Sequence, residues 1–171
     1  MGTAFANYYN QKAVNDFAEE DVWNKEDPYT DWNRLTECEK TFFKSNPNLL
    51  WSAKSNKSRA QNAAMNRFGD CITSDSKPLR DTIGDAYRHA YFSALNARNS
   101  SFGYTKAVML GYAHECETPN NQLNAKDMDL HNNNWGFNYS KSNQQFSEAE
   151  FYTAFMNAYN KNEINILKPC N

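Results

Sequence analysis

Three short segments of the chain contain residue types that can act as acids, bases or metal ligands. They are DAYRH at 85–89, HE at 114–115 and DLHNN at 129–133, and together they contain all three histidines. Each histidine lies within four residues of a carboxylate. Such a carboxylate can hold one imidazole nitrogen and leave the other free to act as a base or a ligand.

The spacing within these segments predicts which side chains can meet. Asp85 and His89 are four residues apart, so on a helix they share one face, and Arg88 can either hold Asp85 or stabilise a substrate anion. Asp129 and His131 are two residues apart, so both can point into one cleft if they lie in a loop or at a helix start. We therefore expect the three histidines to converge on one pocket, with His131 and Asp129 closest to the chemistry.

The residues of the three segments suit a metal-assisted hydrolase. Carboxylate oxygens and imidazole nitrogens together are ligands for Ca²⁺, Mg²⁺, Mn²⁺ or Zn²⁺. We expect the divalent ion to be bound by Asp85, Asp129 and His131, and the substrate to be bound by the Asn132 and Asn133 amides. The expected catalytic residues are His131, His89, Asp129, His114, Arg88 and Glu115.

Each segment also has a structural interpretation. The pair at 85 and 89 could be an ion pair on a helix surface. His114 could be a hydrogen-bonded histidine near the core, and residues 129–133 could be a solvated asparagine-rich loop. The polar residues would then form a hydrogen-bonded network in a binding module without enzymatic activity.

The elements that position these residues are predicted to be helices. Glycine (6 residues) and proline (5 residues) are scarce, and helical periodicity with capping signals predicts helices over about 4–24, 36–46, 49–68, 82–98, 105–117, 126–137 and after Ser147. Thr36 with Glu39, and Ser147 with Glu150, are capping boxes. We predict an all-α fold, a compact bundle of about five to seven helices in one domain over 1–171, with a possible short extended tail at 162–171.

Composition limits the classes of partner. The hydrophobic fraction of 40% can build a core, and the formal net charge of −2 does not favour nucleic acid, although it does not exclude it. Residues 1–33 carry a net charge of −5 and residues 34–69 a net charge of +5, which suits either two attracting faces or a basic patch for an anionic surface. No apolar run reaches the roughly 20 residues of a membrane span, and four cysteines permit two disulfides without requiring them.

The motif triplet resembles a bacterial domain family of uncharacterised activity. DAYRHAYFSAL, GYAHE and MDLHNNNWG follow, in order, that family's approximate pattern DAxRHAxWxA, AHE and MDxHNNxxG, with Phe92 in place of the usual Trp. The resemblance covers about residues 35–137. Domains of this kind often lie at the C-termini of long secreted bacterial proteins, where toxin modules are found.

The resemblance implies an interbacterial toxin or effector that is secreted, delivered into a target cell and paired with a cognate immunity protein. We expect a monomer that works in the periplasm or at a membrane face. The leading expectation is hydrolysis of a phosphoester in a cell-envelope lipid or a lipid-linked precursor. The alternatives are a phospholipase acting on acyl esters, a metal-dependent nuclease and a non-enzymatic binding module.

Overall fold

Helices account for all the regular secondary structure of residues 29–71 and 79–170, the part of the chain described by this computed structural model. In these residues the α-helices are α1 (Tyr29–Arg34), α2 (Glu37–Ser45), α3 (Leu50–Phe68), α4 (Ile83–Arg98), α5 (Gly103–His114), α6 (Leu123–Ser142) and α7 (Glu148–Asn160). Short 3₁₀ turns at Pro47–Leu49 and Asn120–Gln122 precede α3 and α6. The all-α prediction is confirmed, whereas the helix predicted over 4–24 lies outside the described residues.

Two of the differences from the sequence prediction concern α1 and α6. The short helix α1 is not predicted by periodicity, and α6 begins three residues earlier and ends five residues later than the predicted 126–137. The longer α6 places residues 129–133 inside a helix rather than in a loop or at a helix start. The tail over 161–170 is irregular and forms no strand with the other described residues.

Both predicted capping boxes are present. The Thr36 hydroxyl accepts the Glu39 N–H and the Glu39 carboxylate accepts the Thr36 N–H, which satisfies two backbone donors at the start of α2. Ser147 and Glu150 do the same for α7. These caps fix where the two helices begin, and the first also fixes the backbone around Glu39.

Helix α4 is the centre of the bundle and packs against α3, α5 and α6. Its small residues Ala86, Ala90 and Ala94 are fully buried, as their four-residue spacing predicts. Gly136 of α6 lies so close to α4 that a Cβ there would be 2.0 Å from the Ala90 carbonyl oxygen. This close approach brings the polar ends of α4 and α6 together.

Two hydrophobic clusters hold the helices. An aromatic cluster joins α7 to α4 and α6: Phe151 and Phe155 are fully buried and pack against Tyr87 and Trp135. A second cluster joins α2 and α3 to α5 and α6. Burying an aromatic or leucine side chain stabilises a fold by about 1.5–3 kcal/mol, so these clusters, rather than the polar residues, dominate the packing energy.

Two disulfides close long loops. Cys38–Cys116 joins the start of α2 to the segment after α5, and Cys71–Cys170 joins the end of α3 to the tail. The described part of the chain has no free cysteine. Among these helices none has the length and apolar character needed to cross a membrane.

Candidate functional site

A polar cleft of about 490 Å³ opens between the N-terminal half of α4, the C-terminal end of α5 and the first turns of α6. Six residues expected from the sequence line it: Asp85, Arg88, His89, His114, Glu115 and Asp129. The structure therefore brings the three predicted segments together, each through part of its residues. Asp85 and His89 share a face of α4 because they are one turn apart.

Asp85, His89 and Asp129 form a cluster whose ligand atoms all lie within 4.8 Å of one another. The His89 Nε2 atom is 3.6 Å from Asp85 Oδ1 and 3.4 Å from Asp129 Oδ1. The Asp129 Oδ1 atom is buried and has no hydrogen-bond partner. A buried carboxylate oxygen without a partner is costly, so its retention here needs an explanation such as a bound cation.

The charges of the cluster are shifted by burial. Burial, followed by the charges of Asp85 and Glu115, raises the pKa of Asp129 to about 8. Burial and the neighbouring Arg88 lower the pKa of His89 well below its usual value, so the imidazole is neutral, which is the form that binds metals. The pKa of Asp85 is lowered: burial opposes ionisation, but Arg88, His89 and the Asp81 N–H outweigh it.

Arg88 occupies the mouth of this cluster. Its guanidinium donates to Asp85 Oδ1, and one of its nitrogens also lies 2.9 Å from His89 Nε2. Of the two roles that the sequence left open for Arg88, the structure shows the one of holding Asp85. The Arg88 side chain is 30% exposed, so it borders the solvent of the cleft and is not locked in the core.

His114 is held from the opposite wall of the cleft. Its Nδ1 atom is 2.8 Å from Glu39 Oε1, and its ring centroid is 6.0 Å from that of His89. Burial opposes ionisation of Glu39, but the His114 and Thr36 hydrogen bonds outweigh it and lower the Glu39 pKa. An ionised carboxylate only accepts hydrogen bonds, so Nδ1 carries a proton directed at Glu39, and Nε2 is 4.0 Å from Glu115 Oε1.

The expectation that His131 shares this pocket is corrected by the structure. His131 is exposed, does not line the cleft, and places Nε2 2.9 Å from the Glu163 carbonyl oxygen in the tail. Successive residues of a helix are rotated by about 100° around its axis. Residues 129 and 131 are two positions apart, so their side chains are separated by a rotation of about 200°. Because α6 begins at Leu123, Asp129 points into the cleft and His131 points away from it.

The two asparagines also separate. Asn132 is fully buried and exchanges two hydrogen bonds with the backbone of Asn165, at 2.9 and 3.1 Å, so it anchors the tail and does not reach the cleft. Asn133, one turn after Asp129, accepts a hydrogen bond from the Ser93 hydroxyl at 2.8 Å and is a neighbour of the His89 ring. Asn133 therefore lies beside His89, and neither amide lines the polar cleft.

Sequence reasoning missed several residues of the cleft. The sequence indicates only a capping role for Glu39, whereas in the structure Glu39 caps α2 through one oxygen and holds His114 through the other. Arg80 and Lys126 add positive charge to the cleft wall, and Asp81 donates its backbone N–H to Asp85 Oδ2 at 2.8 Å. The one available signal was a pairing of Cys38 with Cys116, which would have placed Glu39 beside His114.

Comparisons with known proteins give a family but no activity. No curated protein and no solved structure matches the chain. Residues 40–163, which are well over half of the chain, match the family described as "Domain of unknown function (DUF6973)". That segment contains α4, α5 and α6, and with them all of the Asp85, His89 and Asp129 cluster. The chain belongs to the DUF6973 family.

Proposed function

We propose that this protein is a divalent-metal-dependent hydrolase that acts on an anionic ester, with a phosphoester as the substrate class. The observation that carries the proposal is the convergence of Asp85, His89 and Asp129 around a buried carboxylate oxygen that has no partner. One imidazole with two carboxylates suits Mn²⁺ or Zn²⁺ better than Ca²⁺, which prefers an all-oxygen shell. When bound, the cation would supply an activated water and polarise the ester.

The positive residues of the cleft support an anionic substrate. Arg88, Arg80 and Lys126 line the cleft, and none of them is buried. Arg88 holds Asp85 through its guanidinium, and a cation bound to Asp85 would replace that positive charge. The guanidinium is then free to bind a substrate oxygen, as arginine does for planar or tetrahedral anions.

His114 is suited to act as the general base. Its Nδ1 proton is held by Glu39 and its Nε2 atom is on the side of Glu115, in the same cleft as His89. A base oriented by a carboxylate through its second nitrogen is a recurring arrangement in hydrolases. Glu39 is therefore a positioning residue for His114, while His89 has both carboxylates of the cluster near its Nε2 and serves as a ligand.

The test combines metal binding with hydrolysis. Protein stripped with EDTA would be titrated calorimetrically with Mn²⁺, Zn²⁺, Mg²⁺ and Ca²⁺, and the loaded protein assayed with p-nitrophenyl phosphate and bis-p-nitrophenyl phosphate. We expect stoichiometric Mn²⁺ or Zn²⁺ binding and hydrolysis that EDTA abolishes. Asp129→Asn should lose both, whereas Asp127→Asn, an exposed carboxylate two residues away on the same helix, should lose neither. Equal behaviour of the two variants would overturn the proposal and favour a structural hydrogen-bonded network.

The cellular setting is part of the proposal: a secreted effector that works outside the reducing cytoplasm. Two disulfides support this, because such bonds persist mainly in oxidising compartments. Expression directed to the periplasm should be toxic, and Asp129→Asn should remove that toxicity. Toxicity of the cytoplasmic form alone would contradict this setting.

A further inference from the structure

A second cavity of about 70 Å³ lies beside the polar cleft, between α2, α3, α4 and α5. Its walls are mainly apolar and include Phe43, Leu50, Ala53, Phe92 and Leu110. The volume is several times the roughly 10–15 Å³ that one water needs. Cavities with apolar walls hydrate poorly, so the favourable occupant of this space is an apolar group.

The two cavities share three residues. Arg88, His89 and His114 line both the polar cleft and the apolar cavity. On the cleft side, these shared residues lie beside the Asp85, His89 and Asp129 cluster and include His114, which Glu39 holds. On the other side, they border aliphatic and aromatic side chains. The two cavities therefore adjoin each other at these three side chains, which is the arrangement that a molecule with a charged ester and an attached hydrocarbon chain requires.

We infer that the apolar cavity is the binding site for a linear hydrocarbon chain of the substrate, so that the substrate class is an amphiphile with a phosphoester head and an alkyl or acyl tail. The inference rests on the proposed function for the identity of the head group. The small volume favours a single hydrocarbon chain over a fused ring system. Burial of each methylene contributes to affinity by transfer out of water.

The experiment measures how affinity depends on chain length. Ethyl, butyl, hexyl and octyl phosphate, each kept below its micelle concentration, would be titrated calorimetrically into the protein with and without Mn²⁺, beside inorganic phosphate. Each methylene that enters the cavity should raise affinity about fourfold, the equivalent of ~0.8 kcal/mol. Octyl phosphate should therefore bind at least about tenfold more tightly than ethyl phosphate, and the gain should level off when the cavity is full. The same affinity for all chain lengths would overturn the inference.

A variant that fills the cavity tests its location. Ala53→Leu places extra carbon in the apolar cavity and should remove most of the octyl-to-ethyl affinity ratio, with Ala53→Val as a smaller step that preserves folding. Ala149→Leu makes the same change at an exposed site on α7 and should keep the ratio. If the ratio survives in both Ala53 variants, the chain binds elsewhere, for example on the exposed Met109 and Tyr112, and the inference fails.

The failure of this inference is distinguishable from the failure of the proposed function. A chain-length dependence without any metal binding would leave the apolar site standing and overturn the metal-dependent hydrolase. Metal binding and phosphoester hydrolysis without a chain-length dependence would leave the hydrolase standing and overturn the apolar site.

Discussion

The two faces of α6 carry the same kinds of polar residue and do different things. On one face, Asp129 meets His89 in the cleft, and Asn133 lies beside His89 without lining the cleft. On the other, His131 and Asn132 hold the backbone of the tail at Glu163 and Asn165. The side chains are chemically alike, so their residue types do not distinguish the two roles. The angular position of each residue around the helix axis decides its role. A histidine of this motif is therefore a candidate catalytic residue only if it lies on the helix face that lines the cleft.

We expect the greatest difference between two alanine variants, one of His89 in the cleft and one of His131 on the opposite face of α6. His89→Ala removes one of three clustered ligands, so hydrolysis and metal affinity should fall by more than the ~10–100-fold that loss of a partner outside the ligand shell costs. His131→Ala removes one exposed hydrogen bond to the tail and should lower the free energy of unfolding by about 0.5–1.5 kcal/mol with activity retained. Activity assays and thermal melting of both variants test this difference. An inactive His131→Ala variant with a normal melting temperature would show that His131, and not only His89, belongs to the functional site.

The sequence predicts most of the fold because its signals are local. The capping boxes at Thr36 and Ser147, and the four-residue spacing of Ala86, Ala90 and Ala94 in α4, each involve residues close together in the chain, and the structure contains both caps and buries the three alanines. The pairing of Asp85 with His89 is local in the same way. By contrast, the direction of the Asp129 side chain depends on where α6 begins. The residues before Leu123 contain no side-chain cap that would mark this helix start in the sequence.

Other parts of the site depend on contacts between distant residues. Glu39 and His114 are 75 residues apart, and α2 must dock on the end of α5 before they meet. The Thr36 hydroxyl donates to the Ala113 carbonyl at 2.7 Å, and Cys38–Cys116 lies beside it. No periodicity or propensity in a single sequence encodes that docking, so Glu39 could be predicted as a cap and not as a partner of His114.

The two disulfides support different walls of the cleft. Removing either bond should cost about 2–4 kcal/mol of stability, since each closes a loop of roughly 80–100 residues. Cys71→Ser with Cys170→Ser also loosens the tail, whose Leu167 and Lys168 bind the Asp81 backbone, and Asp81 holds Asp85. This variant should weaken metal binding as well.

Loss of the other disulfide should act on the base instead of the metal. Cys38→Ser with Cys116→Ser loosens the docking of α2 on α5, so turnover should fall while metal affinity stays near that of the parent. Calorimetry for metal affinity and steady-state kinetics for turnover separate the two cases. Equal losses of metal affinity in both variants would show that the disulfides act only on global stability.

Glu39→Gln should have a smaller effect with a distinctive pH dependence. The glutamine removes the charge that orients His114, so turnover should fall by roughly 10-fold, within the range for outer-shell partners. The lowered pKa of Glu39 means that it stabilises the fold above its unfolded pKa, and this stability is lost as the pH falls through the folded value. The stability difference between parent and variant should therefore shrink in acid, as urea unfolding at several pH values would show. A constant difference would contradict the lowered pKa of Glu39.

The smallest change that we expect is an increase in metal affinity. Arg88→Met removes the guanidinium that competes with a cation for Asp85, so Mn²⁺ should bind roughly two- to fivefold more tightly, in line with the modest energy of partly exposed pairs. Hydrolysis should nevertheless fall, because the group that binds the substrate anion is lost. Weaker metal binding in this variant would mean that Arg88 organises the cluster and does not compete with the metal.

Anomalous X-ray diffraction from Zn²⁺-soaked crystals would show whether the cleft-facing residues of α4 and α6 form a metal centre. We predict a peak bonded to Asp85, His89 and Asp129 at about 2.0–2.2 Å, with Arg88 released from Asp85. Zinc found only at exposed positions such as His131, with Arg88 still hydrogen-bonded to Asp85 and His89, would contradict the account.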